Sequence, residues 1–346
     1  MVSMKQIAEK CGVSVASVSK ALNDHKDIGE STKARIRQTA AELGYCPNAA
    51  ARTLKTNRSY NIGVLFADAA NSGLTHDYFS AVLESFKTEA ESRGYDITFL
   101  NTHTGNRSYL ETCRQRSMDG VVIACIDFER PEVKELMQSQ IPVITIDYHS
   151  DFCSSVISEN EEGMLALTDY IISKGHRQIA YIHGDTNSPV THTRLEAFRN
   201  SLQAHNLTIN DDYILPSAYL DLNKAAECTR KLLDLPIPPS CILYPDDTAL
   251  LGGLHVILES GLKIPQDISI AGYDGLRVSR YVSPQLTTVH QNTERIGQEA
   301  ATQLIRQIEN VESYTHCHLL VDAKLVVGSS VGEYNCAPVK TNKASQ

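Results

Sequence analysis

Residues 12–23, which read GVSVASVSKALN, place hydroxyl groups, small apolar side chains and one lysine within about three helical turns. Serine hydroxyls and lysine suit the phosphate oxygens of a nucleic acid, and small side chains let a helix come close to base edges. We predict a helix from Val15 to Leu22, with Ser14 as its N-cap. The positions predicted to face a core are Val13, Val18 and Leu22. The positions left for the outer face are Val15, Ala16, Ser17, Ser19 and Lys20.

The segments around this helix must position it. A short helix over residues 5–11 precedes it, Gly12 marks the turn between them, and a third helix runs on to Gly44. This order predicts a helix-turn-helix unit, and a solvated helix in a small bundle is the alternative. Residues 1–60 hold ten Lys/Arg and five Asp/Glu, whereas the whole chain carries a net charge of −9. A basic head on an acidic body predicts that the head binds a polyanion.

The 346 residues are enough for two or three domains. From residue 60 onward, apolar strand-like runs such as NIGVLF, DGVVIAC and DISIAGYD alternate with helical patterns. This alternation predicts parallel βαβ units, and there are too many units for one sheet. We therefore predict two α/β subdomains with a ligand site in the cleft between them, at the carboxyl ends of the strands.

Several classes of protein are disfavoured. The sequence has no GxGxxG, Walker, HExxH or GxSxG motif, so we predict no enzyme activity and no cofactor. The nine cysteines show no CxxC spacing, and the tract His316-Cys317-His318 lacks a second pair of ligands, so we predict reduced thiols and no metal. The N-terminus has no apolar h-region, and no apolar run approaches the ~20 residues of a membrane span. These features predict a soluble cytoplasmic protein that associates with the nucleoid.

The head and several later segments together resemble the lac repressor / galactose repressor family of bacterial transcription regulators. The similar segments are MKQIAEKCGVSVASVSKALN, STKARIRQTAAELGYCPNAAARTLKTNRSYNIGVL, RLEAF, YPDDTALLG, IPQDISIAGYDG and SPQLTTVHQN. The resemblance covers nearly the whole chain. It implies an N-terminal all-α helix-turn-helix domain with a hinge helix, followed by a core like that of the periplasmic sugar-binding proteins. The implied divisions are 1–46 for the DNA-binding domain, 47–59 for the hinge, 60–158 with 288–318 and 159–287 with 319–334 for the two subdomains, and 335–346 for a disordered tail.

The resemblance also implies which residues contact DNA. Recognition-helix positions match Val15, Ala16 and Lys20, and Lys20 departs from the arginine usual in the family. Leu54 matches a leucine that inserts into the minor groove. The full set implied to contact DNA is Ser14, Val15, Ala16, Ser17, Ser19, Lys20, Asn23, Tyr45, Asn48, Ala51 and Leu54.

For the cleft, the matching positions combine aromatic rings, carboxylates, amides and a guanidinium. They are Tyr78, Phe79, Arg194, Asp246, Asp274, Gln291 and Asn292. Such a set suits a neutral polyhydroxyl ligand such as a sugar. Asp246 stands where many family members have Asn, and two carboxylates in one cleft disfavour an anionic ligand.

The resulting hypothesis is an effector-responsive homodimeric regulator, more a repressor than an activator, that binds a pseudo-palindromic operator. One alternative is a regulator whose core responds mainly to a nucleoside or to a partner protein. An alternative of another class is a solute-binding receptor without gene control, which predicts a signal peptide and no basic head. The sequence leaves open the effector, the sign of its effect, the target genes and the choice between dimer and tetramer.

Overall fold

The computed structural model describes residues 2–45, 58–67, 73–101 and 107–334. The chain forms two compact units, which divide between Ser59 and Tyr60. Most of the predicted hinge and the whole predicted tail lie outside the described residues, and so do Asn48, Ala51 and Leu54.

The N-terminal unit contains three helices: α1 (Met4–Cys11), α2 (Val15–Leu22) and α3 (Glu30–Glu42). Each helix contributes a fully buried apolar side chain to one small core; these are Ile7, Val18 and Ile36. Ala21 is also fully buried, although the sequence pattern did not single it out. Val13 and Leu22, predicted to face the core, are half-buried and pack against it. The helix-turn-helix prediction is confirmed.

The second unit begins with a six-stranded parallel sheet in the order β11-β5-β4-β3-β1-β2. Its central strands are apolar and buried on both faces, as parallel strands covered by helices should be. We call this the first subdomain. Its elements are β1 (Asn61–Phe66), α4 (Asp77–Ser92), β2 (Asp96–Phe99), α5 (Tyr109–Gln115), β3 (Gly120–Ala124), α6 (Pro131–Met137), β4 (Val143–Ile146), β5 (Ser154–Ser158), α11 (Thr293–Glu309) and β11 (His318–Val321).

The second subdomain is built on a four-stranded parallel sheet in the order β7-β6-β8-β9, flanked by the antiparallel pair β10-β12. Its elements are α7 (Asn160–Ser173), β6 (Ile179–His183), α8 (Pro189–Ala204), β7 (Ile214–Pro216), α9 (Leu222–Leu233), β8 (Cys241–Leu243), α10 (Asp247–Glu259), β9 (Ser269–Ala271), β10 (Thr288–Gln291) and β12 (Ala323–Val326). Two parallel-sheet subdomains confirm the predicted class of the core.

Strand pairing corrects two predicted subdomain boundaries. Residues 288–291 were assigned to the first subdomain, but β10 pairs with β12 and borders the second sheet through a bridge between Asp274 and His290. Residues 319–321 were assigned to the second subdomain, but β11 pairs with β5 of the first sheet. The partners of β11 lie far away in the sequence, so a local pattern carries no information about which sheet the strand joins.

Helices α4 and α11 pack closely in the first subdomain. A Cβ atom on Gly297 would lie 2.3 Å from the carbonyl oxygen of Val82 and 2.7 Å from the backbone nitrogen of Phe86, so the contact requires glycine. This approach buries Phe86, Ile296 and Leu304 in one apolar cluster. This packing fixes the positions of the start of α4 and of the segment before α11. Both segments carry predicted site residues.

Several local predictions differ from the structure. Helix α8 begins with Pro189, a residue type that suits the first turn of a helix. Helix α5 and strands β5, β11 and β12 were not predicted from the sequence pattern. Within the described residues, no helix is long and apolar enough to cross a membrane.

Candidate nucleic-acid interface and ligand cleft

Helix α2 presents a face of small side chains. The Oγ atom of Ser14 accepts a hydrogen bond of 3.0 Å from the backbone N–H of Ser17, which caps the helix as predicted. Val15 is 45% exposed, although it is apolar, whereas Val18 is fully buried. Ala16 is exposed beside Val15. An apolar pair that the head does not bury, next to a capped helix N-terminus, is suited to contact with a nucleic acid.

The other head residues predicted to contact DNA differ in their exposure and in the contacts that they make within the head. Ser19 is half-buried, and its carbonyl oxygen accepts a hydrogen bond of 2.7 Å from the side-chain amide of Asn23. Tyr45 is half-buried and packs against the apolar core of the head. Lys20 is exposed and forms an ion pair with Asp27. Asn23 and Tyr45 therefore have structural contacts within the head in addition to any contact with DNA.

The cleft in the core is organised around Arg194, which projects from α8 and is only 3% exposed. Its Nε donates to Oδ1 of Asn160 at 2.8 Å, and its Nη1 donates to the carbonyl oxygen of Pro245 at 3.1 Å. Its Nη2 lies 3.8 Å from Oδ1 of Asp274. The guanidinium carbon stands 3.5 Å from the centre of the Tyr273 ring, in a cation–π contact. These contacts hold a buried guanidinium in one orientation.

Asp274 and Gln291 form the base of this arrangement. The side-chain amide of Gln291 donates to Oδ1 of Asp274 at 2.6 Å, and both side chains are buried. Burial raises the pKa of Asp274 to about 7, with a smaller contribution from the nearby Asp246 and an opposing one from Arg194. Asp274 also has a φ of 91°, a strained conformation for a residue with a side chain. Strain and an unfavourable charge at one residue are typical of a functional site.

The first subdomain contributes Tyr78 and Asp147 to the cleft. The Tyr78 hydroxyl donates to Oδ2 of Asp147 at 2.7 Å, and Oδ1 of Asp147 accepts a hydrogen bond of 3.1 Å from the backbone N–H of Ser158. Burial raises the pKa of Asp147, and burial together with this carboxylate raises the pKa of Tyr78 well above its usual range. Asp147 also has a left-handed backbone, with a φ of 57°. Asp147 was not among the predicted cleft residues, although an aspartate directly after a buried strand is a recognisable feature.

Tyr219 also belongs to this cluster and was not predicted. Its hydroxyl makes a hydrogen bond of 2.8 Å with Oγ1 of Thr191. A Cβ atom on Gly184 would lie 2.3 Å from the Tyr219 ring, so glycine at the end of β6 allows the ring to lie against the backbone. Tyr219 is half-buried and supplies an aromatic surface near Arg194.

Three of the predicted cleft residues have mainly supporting contacts. Phe79 is buried and packs against the rings of Phe66 and His76, with centroid distances of 5.7 Å and 4.9 Å. Asp246 caps α10: its Oδ1 accepts from the backbone N–H of Ala249 at 2.7 Å and its Oδ2 accepts from Leu220 at 2.9 Å. The side chain of Asn292 caps α11. These residues fix the helix ends that border the cleft.

The assembled cleft offers buried acceptors and aromatic rings from both subdomains. Three carboxyl groups, of Asp147, Asp246 and Asp274, lie around one guanidinium, and burial raises the pKa of each of them. Within the described residues, no group of three or more His, Cys, Asp or Glu side chains could hold a metal ion. The arrangement suits the binding of an uncharged ligand rich in hydroxyl or amino groups.

Two family models match the chain. Residues 3–48 match the model described as "Bacterial regulatory proteins, lacI family", and residues 168–331 match the model of a periplasmic binding protein-like domain. The HTH-type transcriptional repressor PurR of Vibrio campbellii is 30% identical over 319 residues, covering 90% of this chain and 93% of that protein. PurR of Pectobacterium carotovorum subsp. carotovorum is 30% identical over 324 residues, covering 91% of this chain and 93% of that protein.

Solved structures show the same fold. The lac repressor dimer bound to its operator and the anti-inducer ONPF superposes with a TM-score of 0.81 at 24% identity, covering 96% of this chain and 99% of that chain. The similarity therefore extends over the head and the core.

Proposed function

The chain belongs to the lacI family of bacterial regulatory proteins and is a DNA-binding transcriptional repressor of that family; from this premise we propose that it binds a pseudo-palindromic operator as a homodimer, under the control of a small molecule in the cleft. The observation that carries the DNA-binding half of the proposal is the exposed face of α2, where Val15 is 45% exposed beside a capped helix N-terminus. The proposal that a small molecule binds in the cleft rests on the buried cluster of Arg194, Asp274 and Gln291.

In this proposal, α2 lies in the major groove. Val15 and Ala16 are close enough to the helix N-terminus to reach base edges, where their methyl groups can meet the methyl group of thymine. Ser14, Ser17 and Ser19 contact the sugar-phosphate backbone, and Lys20 approaches a purine as a mobile point charge. Asn23 and Tyr45 position the backbone contacts through the bonds and packing that they make in the head.

The residues of the predicted hinge have a separate role in the proposal. Asn48, Ala51 and Leu54 contact the minor groove at the centre of the operator, where Leu54 inserts between two base pairs. Opening a base step costs roughly a few kcal/mol, and the extra protein surface that meets the bent duplex offsets this cost. Replacing Leu54 by alanine should therefore weaken operator binding and leave effector binding unchanged.

The proposed effector is uncharged and rich in hydroxyl groups, as a sugar is. Arg194 and Gln291 offer donors and Asp274 and Asp147 offer acceptors, while the half-buried Tyr219 offers a ring for stacking. Phe79, Asp246 and Asn292 act through the packing and the helix ends that they support. A nucleoside shares the hydroxyl groups and adds a flat base, so it is the competing ligand class.

Burial of the cleft residues suggests how the ligand acts. Tyr78, Arg194 and Gln291 are each less than 5% exposed, so a ligand must enter when the two subdomains move apart. Binding then stabilises one arrangement of the subdomains over the other, and the change in operator affinity cannot exceed the ligand's preference between the two.

Dimerisation has a candidate surface in the second subdomain. Leu222 at the start of α9, Leu258 in α10 and Tyr281 after a 3-10 turn are 42%, 53% and 81% exposed. These elements pack on one another, because α10 contacts both α9 and the 3-10 turn. Large apolar side chains exposed on adjoining elements favour burial against a second copy of the chain.

Two experiments test the proposed function. Selection from random duplex DNA should recover a pseudo-palindrome with two half-sites, and recovery of no common sequence would contradict operator binding. A thermal-shift screen with ribose, disaccharides and nucleosides should find a ligand whose effect is lost in Arg194→Ala. A response to nucleosides alone would replace the sugar by the competing class, and silence across the screen would favour a protein partner for the core.

A further inference from the structure

The lysine on the DNA-facing helix has an acidic partner outside that helix. Lys20 Nζ forms an ion pair with Oδ2 of Asp27, and both side chains are about half exposed. Asp27 follows Lys20 by seven residues and lies in the loop between α2 and α3. The pair therefore depends on how this loop folds and does not result from helical spacing.

Backbone hydrogen bonds fold the loop back onto the end of α2. The N–H of His25 donates to the carbonyl oxygen of Lys20 at 3.0 Å, and the N–H of Asp24 donates to that of Ala21 at 3.3 Å. Asp24 has a φ of 59°, which turns the chain at this point. Ile28 then packs against the core of the head. The loop is anchored at both ends, so Asp27 is held beside the lysine.

The other acidic side chains with ion pairs in the described part of the head have partners elsewhere. Asp24 is held by Lys33 at 3.0 Å and by Arg37 at 2.7 Å. Glu30 contacts Lys33, and Glu42 contacts Lys10 at 3.2 Å. Among these ion pairs, the one between Lys20 and Asp27 involves α2.

We propose that Asp27 is a specificity-determining residue: its carboxylate holds the Lys20 ammonium toward a base edge and keeps it from contacting a phosphate. This inference rests on the proposed binding of DNA by α2. A lysine alone is a flexible charge that neutralises any nearby phosphate and so binds all sequences alike. A carboxylate beside it repels phosphates and can itself accept from the amino group of cytosine, while the lysine donates to guanine. The pair thus favours a G·C base pair within the half-site.

The pKa of Asp27 agrees with this role. The hydrogen bond from Lys20 lowers the pKa of the Asp27 carboxyl below its usual value, and an aspartate is ionised near neutral pH even at its usual pKa. The repulsion of phosphates is therefore present under the conditions in which an operator is bound.

The test compares Asp27→Asn with Glu42→Gln. Both variants remove one negative charge from the head, but Glu42 lies on α3 and pairs with Lys10. The wild-type protein first selects its operator from random DNA. Affinities are then measured by fluorescence anisotropy on that operator, on versions with each base pair of the half-site replaced, and on a scrambled duplex, at three salt concentrations. Melting of each variant checks that the head is folded.

We expect Asp27→Asn to lose discrimination at one base pair of each half-site, by about fivefold, which is what one exposed charge pair can supply. Its affinity for the scrambled duplex should rise. The slope of log affinity against log salt concentration should become steeper by about 0.9 per head, because Lys20 would then contact a phosphate. Glu42→Gln should keep the discrimination of the wild type. Equal changes in both variants at every base pair would overturn the inference and leave operator binding intact. Selection of no operator by the wild type would overturn the proposed function and the inference with it.

Discussion

Gln291 donates its side-chain amide to Oδ1 of Asp274 at 2.6 Å, and this bond joins the end of β10 to the loop that follows β9. A backbone bridge between Asp274 and His290 lies beside it. The same Oδ1 atom faces Arg194 at 3.8 Å. Gln291 therefore orients a carboxylate that is otherwise costly to bury, and it links the charge state of Asp274 to the position of the strand leading to α11.

Asp274→Asn should change how stability depends on pH. Burial raises the pKa of Asp274 to about 7 in the folded protein, so the stabilisation due to its proton is complete below about pH 4 and is lost as the pH rises through 7. Between pH 5 and 8 the free energy of unfolding of the wild type should fall relative to that of the variant by about 2 to 3 kcal/mol. Urea unfolding across this range measures the difference.

The control for this prediction is Asp211→Asn, because Asp211 is exposed in a 3-10 turn remote from the buried cluster. The free energy of unfolding of this control variant, plotted against pH, should run parallel to that of the wild type. A parallel profile for Asp274→Asn as well would show that Asp274 ionises as an ordinary surface carboxyl does.

Arg194→Ala should abolish the response to the effector and also destabilise the core. The substitution leaves Oδ1 of Asn160 without its donor and removes the cation beside the buried carboxyl of Asp274, at a cost of about 3 kcal/mol in the free energy of unfolding. Operator binding should remain, because the head is a separate compact unit. Ligand titrations by thermal shift and operator binding by anisotropy measure the two effects. Arg194→Lys keeps the charge but not the forked geometry, so it should recover stability more than ligand affinity. An unaltered ligand response in Arg194→Ala would remove this residue from the site.

The predicted cleft residues came from the resemblance to the family, and the alignment of strand ends in the fold explains why several of them lie together. Asp274 and Gln291 each follow or end a strand, and the sheet places them together. The same reasoning applies to Asp147, which follows the buried run PVITI and was overlooked. Tyr219 could not be found in this way, because it lies in a loop whose position depends on the close packing of its ring on Gly184.

The roles of the predicted cleft residues were harder to predict than their positions. Asp246 precedes Ala249 by three residues, which is the spacing of an N-cap, and the structure shows this bond at 2.7 Å. Asn292 stands in the same relation to Arg295. A carboxylate or amide near a cleft can thus be explained by helix capping alone, and only geometry separates capping from ligand contact. The predicted boundary between the subdomains near residue 319 was wrong for a different reason, because the pairing of β11 with β5 is non-local.

Ser14→Ala should weaken helix α2. The Oγ atom of Ser14 accepts from the N–H of Ser17, and loss of an N-cap costs about 1 kcal/mol. The head should melt earlier, and operator affinity should fall. Ser14→Thr retains the hydroxyl and should restore both properties. Ser19→Ala removes a hydroxyl from the same helix away from the cap, so it should leave the stability of the head unchanged. Equal melting of Ser14→Ala and the wild type would contradict a capping role.

Replacing Leu258 and Tyr281 by glutamate should separate the proposed dimer. The two side chains are 53% and 81% exposed on adjoining elements, so the charges cost little in a monomer but are strongly unfavourable when buried against a second copy. Sedimentation velocity at micromolar concentration should show a dimer for the wild type and a monomer for the double variant. Operator affinity should then fall by about tenfold or more, because two heads no longer bind as one unit. Ile237→Glu places a charge on another exposed apolar residue, 61% exposed, and should leave the dimer intact. A double variant that sediments as a dimer would exclude this surface as the contact between copies.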